Sequence, residues 1–145
     1  MSDLEKALRR NGLITAGFGV LFALAVIPAL HNVLWLFLQL AYWPMTEVPR
    51  EIVAPVGVTV AISGGLTVGI GAAMWALGRH VAPIAPDAAR SCTLILGWSW
   101  FCVDSTASIL AGAPFNAVLN LIFLGLILQA AYAKQPTGQS VAGSA

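Results

Sequence analysis

The chain has 145 residues, of which 59% are hydrophobic and 9% are charged, and its formal net charge is +1. Soluble domains contain about 45–50% apolar and about 25% charged residues, so this composition excludes a soluble globular protein and predicts a single integral membrane domain. The near-neutral charge gives no indication of a nucleic-acid partner. The sequence also lacks a phosphate-binding loop and a metal-ligand spacing, so we predict neither a cofactor nor a metal site.

The first eleven residues are predicted to form a short cytoplasmic lead-in. Ser2 and Glu5 have the spacing of a helix capping box, and three cations follow at Lys6, Arg9 and Arg10. Such a basic patch could contact anionic headgroups. The simpler interpretation is a signal that orients the first membrane span.

The first apolar run covers residues 12–30, and apolar sequence continues to Tyr42, which argues against a cleaved signal peptide. Pro28, His31 and Asn32 are expected to end this span, because proline inside a helix removes a backbone hydrogen bond. Residues 33–42 would then form a helix about 15 Å long, half the thickness of a bilayer core. This length predicts a short interfacial or re-entrant helix. The alternative is one long, tilted and kinked first helix.

Three further apolar runs complete a predicted all-α, four-helix membrane bundle, and they cover residues 52–77, 92–111 and 115–132. A Pro-rich loop is expected at 78–91. The second run contains Gly65 and Gly69, a small-residue pair whose spacing lets another helix approach closely in lipid. That helix is expected to belong to this chain, to a second copy in a homodimer, or to a larger membrane complex. We assign residues 1–133 to one four-span domain and residues 134–145 to a disordered cytoplasmic tail.

The loop charges predict the orientation of the spans. With a cytoplasmic N-terminus, the outer side carries one cation, Arg50, and the inner side carries six: Lys6, Arg9, Arg10, Arg79, Arg90 and Lys134. Because cytoplasmic loops are enriched in Lys and Arg, both termini are expected in the cytoplasm, with residues 31–51 and the turn at 112–114 outside. We expect an integral protein of the plasma membrane, which in a bacterium is the inner membrane.

An aspartate in the third span is the main candidate for function. Asp104 has no basic residue within ten positions, and inserting a central Asp costs about 2.5–3.5 kcal/mol, so such a residue usually faces a bundle interior or a watery cavity. Counted from the turn, Asp104 lies roughly 12 Å and Asn120 roughly 8 Å below the outer surface. Other polar side chains are expected near this level. The predicted ligand-binding cluster comprises Asp104, Ser105, Ser108, Asn116, Asn120, Thr59, Ser63 and His31.

The alternative role for Asp104 is to lock the last two helices by hydrogen bonding to Asn116 or Asn120. Interhelical hydrogen bonds contribute only about 0.6 kcal/mol on average, and a neutral Ser or Asn would form them at a lower insertion cost. This comparison favours a functional role.

Two functions follow as hypotheses. The first is a proton-coupled transporter or small-molecule-binding protein, working as a homo-oligomer, with Asp104 as the group that changes its protonation. The second is a non-catalytic accessory or assembly subunit that packs against a larger complex through Gly65 and Gly69. Enzyme activity is not predicted, because the sequence shows neither a Ser-His-Asp triad nor a pair of carboxylates. Cys92 and Cys102 are expected on one helix, roughly 15 Å apart and too far for a disulfide. We predict that they are buried thiols and not a redox pair.

Overall fold

The computed structural model describes residues 1–44 and 47–133, and these residues are all-helical. The five α-helices are α1 (Asp3–Leu24), α2 (His31–Ala41), α3 (Val53–Ala76), α4 (Pro86–Leu110) and α5 (Pro114–Ala131). Three stretches are long and apolar enough to cross a membrane: Arg50–Val81, Pro86–Leu110 and Pro114–Ala131. The predicted tail at 134–145 lies outside the described residues.

The first helix begins at the predicted capping box and continues through the charged lead-in into the apolar run. Ser2 Oγ accepts a hydrogen bond from the Glu5 backbone N–H at 3.2 Å, and Glu5 Oε1 accepts one from the Ser2 backbone N–H at 3.1 Å. The capping box thereby gives a hydrogen-bond acceptor to two backbone N–H groups that have no partner within the helix. The lead-in is therefore part of α1 and not a separate segment.

A sharp bend separates α1 from α2. The axis turns by 116° between Asp3–Leu24 and Pro28–Ala41, and these two segments reach the length and apolarity of a membrane span only as a pair. The break is present as predicted, but α1 ends at Leu24, before Pro28. Pro28 instead begins a 3₁₀ turn, Pro28–Leu30, that leads directly into α2, where its missing N–H is not needed.

Glycines hold α1 and α3 in close antiparallel contact. A Cβ atom built on Gly19 would lie 2.6 Å from the Val68 backbone nitrogen, and one on Gly64 would lie 2.7 Å from the Gly19 carbonyl oxygen. By contrast, a Cβ atom on Gly65 or Gly69 meets nothing within 4 Å. The expectation that Gly65 and Gly69 pack against a helix of this chain is therefore wrong for the described residues. The neighbouring face of α3 makes that contact.

The long helices pack in the order α3, α1, α5, α4, with α2 against α5 and α3. One buried core lies where the first turns of α1 meet the last turns of α5, and it contains Leu4, Leu8, Met74 and Ile127. A second core lies beneath α2 and contains Ala25, Leu34, Val53 and Val60. These two cores lie at opposite ends of α1.

The connection between α3 and α4 is shorter than the Pro-rich loop predicted at 78–91. α3 continues as a π-helical turn, Leu77–Val81, and α4 already begins at Pro86. Proline is favoured in the first turn of a helix because that turn needs no backbone N–H donor. The expected start of the third helix at residue 92 is therefore wrong by six positions. The second and fourth runs agree with α3 and α5 to within a residue.

Candidate functional site

The predicted polar cluster is brought together by a tight hairpin between α4 and α5. Gly112 adopts a positive φ of 77°, a conformation that glycine tolerates without the steric cost of a side chain. The Ala113 N–H donates to the Ser108 carbonyl at 2.9 Å and the Gly112 N–H to the Ile109 carbonyl at 3.1 Å. This pair of bonds is a Schellman motif, which ends α4. Pro114 then starts α5 one residue later.

Two asparagines of α5 converge on one oxygen of Asp104. Asn120 Nδ2 donates to Asp104 Oδ2 at 2.6 Å, and Asn116 Nδ2 donates to the same atom at 3.3 Å. Asn120 Nδ2 also donates to Ser105 Oγ at 3.1 Å, and Asn116 Nδ2 to Ser108 Oγ at 2.8 Å. Five of the eight predicted site residues therefore form one hydrogen-bonded cluster, which we call the Asp104 cluster.

The hydrogen bonds leave this cluster rich in free acceptors. Each asparagine amide has two N–H donors, and both are used, one on Asp104 and one on a serine. Within the described residues, Asp104 Oδ1 accepts no hydrogen bond. A ligand that adds to the cluster at Oδ1 must therefore be a proton, a cation or a hydrogen-bond donor.

The burial of the cluster is graded. Ser105 is 7% exposed and Asn120 is 6% exposed, whereas Asp104, Ser108 and Asn116 are half-buried. In the part of the chain that the structure describes, the one fully buried side-chain oxygen without a hydrogen bond is Thr15 Oγ1. The free oxygen of Asp104 therefore reaches the molecular surface.

The hydrogen bonds of the hairpin do not depend on the charge of Asp104. Oδ2 accepts both amide hydrogen bonds when the carboxyl group is ionised, and the carbonyl oxygen of a protonated carboxylic acid accepts them as well. The four hydrogen bonds between α4 and α5 are therefore compatible with either form of the carboxyl group.

No family model, curated protein or solved structure matches this chain.

Three predicted site residues do not join the Asp104 cluster. Thr59 and Ser63 are exposed on α3, which packs against α1 and not within the α4–α5 hairpin, and the Ser63 hydroxyl donates to the Thr59 carbonyl of its own helix at 2.9 Å. His31 Nε2 lies 3.1 Å from the Val26 carbonyl at the bend between α1 and α2. Their inclusion was wrong, because equal depth in a bilayer does not make two helices neighbours.

A second polar network, between α1 and α5, was missed in the sequence. Asn11 is fully buried, and its Nδ2 donates to the Leu126 carbonyl at 2.7 Å and to Gln129 Oε1 at 3.1 Å. Arg10 Nη2 donates to Gln129 Oε1 at 3.2 Å. The sequence feature that could have indicated this network is the position of Asn11 and Gln129 near the ends of their apolar runs. A polar side chain there can find a hydrogen-bond partner on the neighbouring helix.

Two surface grooves lie away from the Asp104 cluster. One of about 700 Å³ lies beside α2, between Trp35 and Arg50, and one of about 310 Å³ lies at the bend, beside His31 and Gly57. Arg50 stacks over the Trp35 ring at 4.5 Å and donates to Asn32 Oδ1 at 2.9 Å, which ties the segment before α3 to α2.

No group of three His, Cys, Asp or Glu side chains in residues 1–44 and 47–133 is arranged to hold a metal ion.

Proposed function

We propose that this chain is a four-span protein of a plasma membrane and acts as a small proton-coupled transporter or small-molecule-binding protein. In this proposal α1 crosses the membrane, α2 lies at its outer surface, and α3, α4 and α5 cross in turn. Asp104 is the group that takes up and releases a proton or binds a donor group of the solute. The proposed lipid-facing surface includes large exposed apolar side chains such as Val58, Leu66, Val103 and Ile122.

One observation carries the proposal. The two amides of α5 bind one oxygen of Asp104 and leave the other oxygen accessible. A carboxyl group that served only to join two helices would be expected to use both oxygens or to be replaced by a neutral residue of lower insertion cost. The arrangement instead keeps one oxygen for a proton or a donor.

The charge distribution supports an orientation with both termini in the cytoplasm. Arg9, Arg79 and Arg90 lie at one end of the helices, where the start of α1, the π-helical turn and the start of α4 meet. Arg50 lies at the other end. The positive-inside rule then gives a cytoplasmic N-terminus, and in a bacterium the membrane is the inner one.

The proposal is tested with protons as the probe. Purified protein is reconstituted into liposomes, the carboxyl C=O band is followed by infrared spectroscopy during a pH titration, and proton uptake is followed with a trapped pH-sensitive dye. The sequence has six Asp and Glu residues, so each variant is compared with the wild type by its difference spectrum. We expect the wild type to show one component of the protonated-carboxyl band, and proton uptake, that Asp104→Asn lacks. Asp87→Asn is the matched control, because it removes a carboxyl group of the same helix at its other end. A carboxyl band and a proton uptake that are both unchanged in Asp104→Asn would refute the proposal.

The second candidate is an accessory or assembly subunit that packs through the face of α3 that carries Gly65 and Gly69. The observation in its favour is that this face is open, since a Cβ atom at either glycine meets nothing within 4 Å. In the transporter proposal a second copy of the chain covers this face, and in the accessory proposal a helix of a larger protein does.

Native-detergent purification of a Gly65→Val/Gly69→Val double variant distinguishes these proposals. Loss of a homodimer supports the first, and loss of a stoichiometric larger partner supports the second. Gly125→Val is the control, because Gly125 on α5 is equally open. Assembly that is unchanged in the double variant would show that this face is not used.

A further inference from the structure

A second candidate site lies at the opposite end of the helices from the Asp104 cluster. The π-helical turn Leu77–Val81 follows α3 and presents Gly78, Arg79 and His80 next to the first turns of α1. π-helical turns are rare and are frequently found at functional sites. Asp104 is 18 residues from the start of α4, roughly 27 Å along that helix, so this second site is independent of the function proposed above.

Gly78 allows α1 to lie directly against this turn. A Cβ atom at Gly78 would lie 2.8 Å from Leu8 Cβ and 3.1 Å from Arg9 Cγ, so a larger residue would push Arg9 away. The Arg9 guanidinium lies 6.0 Å from the centroid of the Trp75 ring. The His80 ring meets the same indole edge to face, with the centroids 6.2 Å apart. Trp75 thus lies close to both the Arg9 guanidinium and the His80 ring.

The two arginines of this site, Arg9 and Arg79, form no ion pair in the described part of the chain. The charge of Arg9 makes a small contribution to lowering the pKa of Glu5, and its Nη1 donates only to the Met1 sulfur, at 3.1 Å. The other arginines of this end are held by α5, since Arg10 donates to the Gln129 side chain and Arg90 Nε donates to the Ala131 carbonyl at 2.9 Å. Guanidinium donors therefore remain available at Arg9 and Arg79.

We propose that Arg9, Arg79 and Trp75 form a binding site for the phosphate headgroup of an anionic phospholipid. The planar guanidinium fork matches the geometry of phosphate oxygens, and tryptophan is favoured at the level of the headgroups. His80 supplies a further hydrogen-bond donor at the edge of the site.

The surrounding surface favours a lipid over a soluble phosphate. Leu13 lies one turn further along α1 from Arg9 and is 62% exposed, and Ile84, just after the π-helical turn, is 83% exposed. Leu13 would contact an acyl chain that runs down α1 from the headgroup. A free phosphate ion gains nothing from these apolar side chains, whereas a phospholipid buries part of them.

The experiment is a native mass-spectrometry titration of the purified protein with phosphatidylglycerol and, separately, with phosphatidylcholine. The double variant Arg9→Gln/Arg79→Gln is compared with Arg50→Gln, which removes one arginine at the other end of the helices. We expect each replaced arginine to weaken phosphatidylglycerol binding by about fivefold, since a cation near an anionic surface contributes about 1 kcal/mol. Phosphatidylcholine binding and the Arg50→Gln variant should be unchanged.

Two results would overturn the proposal. One is a double variant that keeps the wild-type preference for phosphatidylglycerol, and the other is glycerol phosphate that displaces the lipid at equal concentration, which would indicate a site for free phosphate. Arg79→Gln is also measured alone, because Arg79 is exposed and its replacement leaves the packing of α1 untouched. A single variant with unaltered phosphatidylglycerol affinity counts against a direct contact by Arg79.

Discussion

Asp104 shows how one residue can both join two helices and stay available to a ligand. Its Oδ2 atom binds Asn116 and Asn120, and its Oδ1 atom receives no hydrogen bond from the described chain. The asparagine amides are oriented by this contact, because a carboxylate oxygen accepts hydrogen bonds and cannot donate them. Any group that binds at Asp104 Oδ1 has to supply a positive charge or a hydrogen-bond donor.

The two asparagines are not equivalent, and we expect their replacement to show this. Asn120→Ala removes the shorter bond to Asp104, at 2.6 Å, from a residue that is only 6% exposed, so the free energy of unfolding should fall by about 1–1.7 kcal/mol, the upper range for interhelical hydrogen bonds. Asn116→Ala removes a 3.3 Å bond to Asp104 and a 2.8 Å bond to the neutral Ser108 hydroxyl. Because Asn116 is only half-buried, the loss should cost about 0.6 kcal/mol. SDS-induced unfolding in mixed micelles measures both.

The control for this pair is Ser99→Ala on the exposed side of α4. The Ser99 hydroxyl donates to the Leu96 carbonyl of its own helix, so its loss should change the unfolding free energy by no more than about 0.5 kcal/mol. An Asn116→Ala variant less stable than Asn120→Ala would contradict the assigned geometry.

At the scale of the helices, the close approach of α1 and α3 depends on which glycines face each other. A methyl group at Gly64 would lie 2.7 Å from the Gly19 carbonyl oxygen, and backbone atoms on both helices would have to move apart. The same methyl group at Gly65 would meet no atom within 4 Å. Two adjacent glycines of one helix therefore have different roles.

We expect Gly64→Ala to lower the unfolding free energy by about 1–3 kcal/mol, the usual cost of overpacking a close contact. Gly65→Ala should leave it unchanged or raise it by up to about 1 kcal/mol, because alanine favours the helix over glycine. Unfolding of the monomer in micelles measures the difference. Equal effects at the two positions would mean that α1 and α3 do not meet on this face.

The start of α1 predicts a pH dependence confined to its first turn. The hydrogen bond from the Ser2 backbone N–H lowers the pKa of Glu5 below its usual value, against a smaller opposing effect of partial desolvation. Because the folded pKa is depressed, the contribution of the cap is complete above the usual glutamate pKa. It is lost as the pH falls through the lowered pKa of the folded helix.

Carbon-13 NMR of the Glu5 carboxyl group checks this prediction in micelles. We expect a titration midpoint below that of an unstructured glutamate, accompanied by shifts of the amides of residues 3–5. Ser2→Ala keeps the backbone N–H and removes only the hydroxyl donor, so the midpoint should move up part of the way towards the usual value. A wild-type midpoint at or above that of an unstructured glutamate would show that the capping box does not hold Glu5.

For the whole molecule, the packing order α3, α1, α5, α4 determines which surfaces remain for lipid or partners. The two outermost helices carry the exposed faces with Gly65 and Gly69 on α3 and with Cys92 and Cys102 on α4. Both cysteines are free, as expected, but they are exposed on α4, so the expectation that they are buried is wrong. The polar networks lie between α1, α5 and α4, in the interior of this order.

The proposed four-span topology predicts a labelling pattern for single cysteines placed in a variant that lacks Cys92 and Cys102. In intact cells, a membrane-impermeant maleimide should label Glu47→Cys and Ala111→Cys, and it should label Ser2→Cys and Ile84→Cys only after lysis. A separate variant that lacks only Cys92 is the control, because Cys102 should then react only with a membrane-permeant reagent. Ser2→Cys and Glu47→Cys labelled from the same side would show that α1 does not cross.

Much of the site could be predicted from local sequence, because its parts are close along the chain. Asn116 and Asn120 share one face of a helix through their spacing of four residues, and the turn at Gly112 folds that face back onto Asp104 and Ser108. The positions of α3 and α5 also follow from length and apolarity alone. These features can be predicted because the residues that determine them are close together in the sequence.

The apolar helical segments and the polar hairpin can therefore be predicted from the sequence. The packing of α3 on α1 through Gly64 and Gly71, the separation of Thr59, Ser63 and His31 from Asp104, and the pairing of Asn11 with α5 emerge only from the folded chain. Lipid is as apolar as the protein interior, so a membrane helix carries no hydrophobic difference between its buried and exposed faces. Close packing and hydrogen bonds between distant segments then decide the rotation and neighbours of each helix.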